Sequence, residues 1–142
     1  MIAMRTGSSA LLFIAMLAWP PGAPNASATD SPYARVFYCV YQADDCISGD
    51  TPVALDRDAT LALVERVLAR EDNFIGFVDE ADTTLQFYVD EAGKIWVEIP
   101  DVAERGSHGR HIDPTAVRST IGDLSTPLSK YRERLGLEFR AW

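Results

Sequence analysis

The segment 73–100 constrains the fold of this chain more than any other part of the sequence. Three runs rich in β-branched and aromatic residues, at 73–79, 84–90 and 94–99, predict β-strands, and apolar residues alternate with other residues along the second and third runs. Only the short polar connections 80–83 and 91–93 separate them, whereas parallel strands need crossovers of about a dozen residues or more. The sequence therefore predicts an antiparallel meander.

Upstream of the meander, the sequence predicts one strand and one helix. The run 33–41 is β-branched and aromatic, which is typical of a strand, and a polar turn at 42–50 follows it. Over 55–70, apolar residues recur at helical spacing, with Asp56 or Asp58 as the candidate N-cap.

Downstream of the meander, we expect a long polar loop at 101–111, because this segment contains two glycines and has no periodicity. Asp113 followed by Pro114 is typical of a helix start, and Thr126–Pro127 marks a second start. The alternating tail 137–142 predicts a last strand. The predicted fold is a single small α+β domain of order β-α-β-β-β-α-α-β, in which helices pack against an antiparallel sheet.

The N-terminus has the features of a secretory signal peptide. Arg5 precedes an apolar run at 10–19, and Ala26-Ser27-Ala28 forms a small-residue cleavage site. The run is about half the roughly 20 residues that a membrane-spanning helix needs. We therefore expect a cleaved signal peptide at 1–28, a mature domain at 29–142, a periplasmic or secreted location and no membrane insertion after cleavage; an uncleaved N-terminal anchor is the alternative.

The chain is acidic, with a formal net charge of -8. An acidic surface is repelled by nucleic-acid phosphates and attracts basic proteins. This charge disfavours nucleic-acid binding and is compatible with a basic protein partner, although solubility alone also explains an acidic surface.

The two cysteines of the chain, Cys39 and Cys46, predict one disulfide, because an exported protein enters an oxidising compartment. Six residues separate them, unlike the close Cys-x-x-Cys spacing of redox-active pairs. The pattern therefore favours a structural bridge over a redox site.

The only two histidines fall in the segment that we expect to be a loop. His108 and His111, with Asp113, offer three potential zinc ligands, and Ser107 beside His108 is the only hint of a nucleophile. The pattern lacks the glutamate of a metalloprotease motif and the turn of a serine hydrolase, so a solvated polar loop is the competing interpretation. We predict no cofactor.

Alternation along the meander leaves a polar and amphipathic set on one face of the sheet. The apolar side chains of 85–89 and 95–99 occupy one face, so the intervening ones occupy the other. We predict a partner-binding surface there, formed by Gln86, Tyr88, Trp96 and Glu98. Packing of Trp96 into the core, with Glu98 at its rim, is the alternative.

The segment 73–100 resembles small immunity proteins of bacterial toxin systems. The shared features are a strand containing Phe74, a strand containing Leu85-Gln86 and a strand containing Trp96-x-Glu98. The resemblance implies a non-enzymatic protein that binds and blocks one cognate toxin without a cofactor. We therefore expect a periplasmic immunity or inhibitor protein; the alternative is a small secreted hydrolase or metal-binding enzyme that uses His108 and His111.

Overall fold

Residues 34–142, which the computed structural model describes, form an α+β domain built on an eight-stranded antiparallel sheet. The strands are β1 (Arg35–Val40), β2 (Asp45–Ile47), β3 (Val53–Ala54), β4 (Phe74–Val78), β5 (Thr84–Val89), β6 (Ile95–Asp101), β7 (Gly106–Ile112) and β8 (Glu138–Ala141). The helices are α1 (Arg57–Val67), α2 (Pro114–Gly122) and α3 (Tyr131–Arg134), with 3-10 turns at Tyr41–Ala43 and Leu128–Lys130.

The sheet order is β2-β1-β4-β5-β6-β7-β8, and β3 also pairs with β1. Every pairing is antiparallel, including β4 with β5 and β5 with β6, whose connections are the short polar segments of the meander. The predicted fold class, an antiparallel sheet with helices packed against it and one disulfide, is confirmed.

The prediction of a long loop at 101–111 is wrong, because most of this segment forms β7. Seven residue pairs join β7 to β6, from Ile95 opposite Ile112 to Asp101 opposite Gly106. A strand held on both sides by backbone hydrogen bonds needs no apolar alternation, and the sequence signal for a strand is therefore weak here. The segment 42–50, where we expected a polar turn, contains the short strand β2, and a second short strand, β3, follows it before α1.

Both principal helices begin at the predicted N-caps. The Asp56 carboxylate accepts a hydrogen bond of 2.8 Å from the Ala59 backbone N–H, and Asp113 accepts one of 2.9 Å from Ala116. Each cap satisfies a donor that the first turn leaves without a helical partner.

The core lies between α1, α2 and one face of the sheet. Val64 and Val67 of α1, and Val117 and Ile121 of α2, are buried against this face. The strands contribute alternate residues to it, namely Val36, Tyr38, Ile75, Phe77, Leu85, Phe87, Ile95, Val97 and Ile99. Period-two alternation thus selects which strand residues meet the helices.

Cys39 and Cys46 form the predicted disulfide. They lie directly opposite each other on β1 and β2, with their Cα atoms 4.0 Å apart. The bond therefore ties the short edge strand β2 to the sheet.

The predicted signal peptide and cleavage site fall in residues 1–33, outside the described part of the chain. Within 34–142, none of the helices combines the length and the apolar character needed to cross a membrane.

Candidate binding cleft on the open face of the sheet

The sheet has a second face, which points away from α1 and α2 and which we call the open face. Gln86 and Tyr88 of β5 lie there beside Glu98 and Trp96 of β6, since the strand register places Gln86 opposite Glu98 and Tyr88 opposite Trp96. The four residues that we proposed as a partner-binding surface are therefore direct neighbours. Their role in binding stays a prediction.

Glu98 accepts more side-chain hydrogen bonds than any other residue of this group. Its Oε1 accepts a hydrogen bond of 2.8 Å from Gln86 Nε2, and its Oε2 accepts bonds from Trp96 Nε1 at 3.1 Å and Ser107 Oγ at 3.0 Å. Three neutral donors from β5, β6 and β7 thus hold a half-buried carboxylate in one position.

Trp96 is packed, with only 8% of its surface exposed. Its indole lies over Gly109 of β7, where a Cβ atom would come within 2.7 Å of the ring. The Arg140 guanidinium lies 4.8 Å from the indole centroid, and the His111 ring lies 5.0 Å away, edge to face. Of the two interpretations of Trp96, the structure favours packing, and its indole N–H positions Glu98.

A second aromatic group lies further along the open face. The Phe37 ring covers Gly76, where a Cβ atom would lie 2.1 Å from the ring. Phe74 contacts Phe37 at 6.1 Å between ring centroids, and the exposed Tyr41 ring lies 6.2 Å from Phe74. Because Gly76 has no side chain, the Phe37 ring can pack directly against the backbone of β4.

The open face contains a cleft of about 910 Å³, lined in part by Phe37, Phe74 and Glu98. Aromatic rings of Phe37, Phe74 and Tyr88 line it, and the charged residues in its lining are all acidic. These acidic residues are Asp72, Asp90, Glu91 and Glu98. Aromatic surface combined with several carboxylates favours an organic cation over an anion or a purely apolar ligand.

Two pKa values reflect the negative potential and the hydrogen bonding of this region. Burial raises the pKa of the Tyr88 hydroxyl, and the charges of Glu98 and Asp90 raise it further, while Arg140 opposes them. The backbone N–H of Lys94 and the His111 side chain hold the pKa of Asp90 below its ordinary value. The ionised Asp90 carboxylate therefore accepts the hydrogen bonds that hold the turn after β5.

The structure does not bring His108, His111 and Asp113 together. His108 lies on the helix-covered face, with Nε2 3.8 Å from Asp101 Oδ2, whereas His111 lies on the open face and contacts Asp90 at 3.0 Å. Asp113 caps α2. Within 34–142, no group of three or more His, Cys, Asp or Glu side chains is placed to hold a metal ion.

Ser107 and His108 also point to opposite faces of β7, so they form no nucleophile and base pair. Ser107 instead donates its hydroxyl hydrogen bond to Glu98. The strand that we expected to be a loop therefore supplies a supporting residue of the cleft.

Several residues of this site escaped the sequence analysis. Asp72 precedes the meander, and Gly109 and Arg140 come from β7 and β8, whereas Ser107 was considered only as a possible nucleophile and Phe74 only as part of the first meander strand. Strand alternation in β7 would have placed Ser107, Gly109 and His111 on one face, had the strand been recognised.

Comparisons of the chain with protein-family models, with curated proteins and with solved structures find no match.

Proposed function

We propose that this protein is an exported, non-enzymatic immunity or inhibitor protein that binds and blocks a cognate toxin or hydrolase acting in the cell envelope. The observation that carries the proposal is the open face of the sheet, where an acidic cleft lined by aromatic rings adjoins a carboxylate fixed by three donors. Open sheet faces with aromatic residues suit protein recognition, because rings supply a large contact area.

Three other features support the proposal. The N-terminal sequence predicts an export signal, the Cys39–Cys46 disulfide is compatible with an oxidising compartment, and the segment 73–100 resembles small immunity proteins. A negative surface also speeds the encounter with a basic partner by electrostatic steering.

The partner is tested by affinity isolation. Mature protein purified from its host serves as bait for an envelope extract, and the captured protein is identified by mass spectrometry and then purified. We expect a stoichiometric complex that suppresses the activity of that protein. A purified partner whose activity stays unchanged in the complex would contradict an inhibitory role.

Export is tested separately by the intact mass of the protein isolated from its host. We expect a chain that begins at Thr29 and resists alkylation of Cys39 and Cys46 until it is reduced. A mass that retains residues 1–28, or free thiols before reduction, would contradict the exported and oxidised form.

A further inference from the structure

We infer that the cleft on the open face receives an arginine side chain of the protein partner, with the guanidinium paired to the Glu98 carboxylate beside the ring of Tyr88. This inference rests on the proposed function, because it specifies the chemistry that the partner presents to the cleft.

Glu98 is built to receive a cation. Its hydrogen bonds from Gln86, Trp96 and Ser107 all come from neutral donors, and none of the ion pairs between residues 34–142 includes it. The carboxylate is fixed before binding, so a partner does not have to order it. A half-buried carboxylate that none of these ion pairs includes is a position where an incoming positive charge contributes strongly.

The charges around Glu98 select the sign of the occupant. Asp72, Asp90 and Glu91 line the same cleft, and the residues that line it include no Lys or Arg. The four carboxylates reinforce one another, since they act across a partly enclosed space rather than on a flat surface.

The aromatic lining favours arginine over lysine. The rings of Phe74 and Tyr88 provide flat apolar surface, on which a planar and weakly hydrated guanidinium stacks better than a compact ammonium. The open face already holds one such contact, because the Arg140 guanidinium lies over the Trp96 ring at 4.8 Å. A guanidinium also donates two parallel hydrogen bonds to one carboxylate, which an ammonium cannot do.

The size of the cleft indicates how the arginine arrives. A volume of about 910 Å³ is at the upper end of ordinary ligand sites and exceeds the needs of one side chain. We therefore place the arginine on a loop of the partner, whose neighbouring residues occupy the rest of the cleft.

Short peptides test the recognition chemistry without the partner. The probes are acetyl-Gly-Arg-Gly-amide and the same peptide with lysine or with citrulline, the neutral isostere of arginine. They are titrated into ¹⁵N-labelled mature protein while the Trp96 indole and Gln86 side-chain amide signals are followed by NMR. We expect saturable shifts with arginine, binding weaker by about fivefold with lysine and no saturation with citrulline.

Glu98→Gln is the main variant, because it removes the charge and keeps the shape. It should weaken arginine binding by about tenfold or more. Glu80→Gln is the matched control: it removes the same charge from the turn after β4, outside the cleft, and should change binding by less than about twofold. Equal binding of the arginine and citrulline peptides, or equal loss in both variants, would overturn the inference.

The partner assay separates this inference from the proposed function. If the partner binds wild type and Glu98→Gln equally well, the arginine inference fails while the inhibitor proposal stands. If the peptides bind as expected but the captured partner keeps its activity in the complex, the cleft is an arginine site and the inhibitor proposal fails.

Discussion

The two faces of the sheet use the same strands in different ways. On the helix-covered face, Leu85 and Phe87 of β5 are fully buried in the apolar core, which also includes side chains of α1 and α2. On the open face, the intervening residues Gln86 and Tyr88 line a cleft with carboxylates. Neighbouring residues of one strand therefore belong separately to the core and to the cleft, because successive side chains point to opposite faces.

The open face nevertheless contains packed regions of its own. Phe37 lies on Gly76 and Trp96 lies on Gly109, so each aromatic ring rests on a glycine of the adjacent strand. Of these residues, Phe37 lines the cleft, and Trp96 donates a hydrogen bond to Glu98, which also lines it. One face of the sheet is thus packed against helices, whereas on the open face two aromatic rings, those of Phe37 and Trp96, pack directly on the strands.

The largest expected effect compares neighbours on the two faces. Phe87→Ala should lower the free energy of unfolding by about 3–5 kcal/mol, because it leaves a cavity at a fully buried site. Tyr88→Ala, at a site 37% exposed, should change it by less than about 1 kcal/mol. Urea denaturation of both variants checks this, and similar losses would show that the open face is as much a core as the other.

The disulfide should have the next largest effect. Replacing Cys39 and Cys46 together by alanine should lower the free energy of unfolding by about 2–3 kcal/mol, because the cross-link reduces the conformational entropy of the unfolded chain. Wild-type protein with the bond reduced serves as the control and should match the double variant. Unchanged stability in both samples would contradict a stabilising effect of the disulfide.

The packing of Phe37 on Gly76 is tested by adding a methyl group at the glycine. Gly76→Ala should destabilise the protein by about 1–3 kcal/mol, because the added methyl overlaps the Phe37 ring. Gly122→Ala is the matched control at the end of α2, where the methyl meets nothing within 4 Å; it should be neutral or stabilise by up to about 1 kcal/mol. Thermal melts of both variants measure these effects. An unchanged melting temperature in Gly76→Ala would show that Phe37 is free to leave the sheet.

The smallest effect concerns pH and the rim of the cleft. Because the folded state lowers the pKa of Asp90, its contribution to stability is present above the ordinary aspartate pKa of about 3.9 and is lost as the pH falls through the folded value. Asp90→Asn should therefore lower the melting temperature slightly at about pH 6, and this difference should shrink as the pH falls below the ordinary aspartate pKa. A difference that stays constant across this range would exclude ionisation of Asp90 as its cause.

Local sequence patterns determined the elements that depend on local rules. Alternation in 84–90 and 94–99 assigned the two faces, and the caps Asp56 and Asp113 marked the helix starts that the structure contains. The pairing of Cys39 with Cys46 followed from there being only two cysteines. These features are readable from sequence because they depend on residues close together in the chain.

Only the tertiary structure decided what surrounds Glu98. The donors Gln86 and Ser107 lie 12 and 9 residues from it along the chain, and the register of β5, β6 and β7 brings them to its two oxygens. The polar strand β7 shows no apolar alternation. The sequence therefore predicted neither the contact of Ser107 with Glu98 nor the packing of Trp96 on Gly109. Register depends on the summed pairing of whole strands and on side chains fitting across them, which no local window of sequence contains.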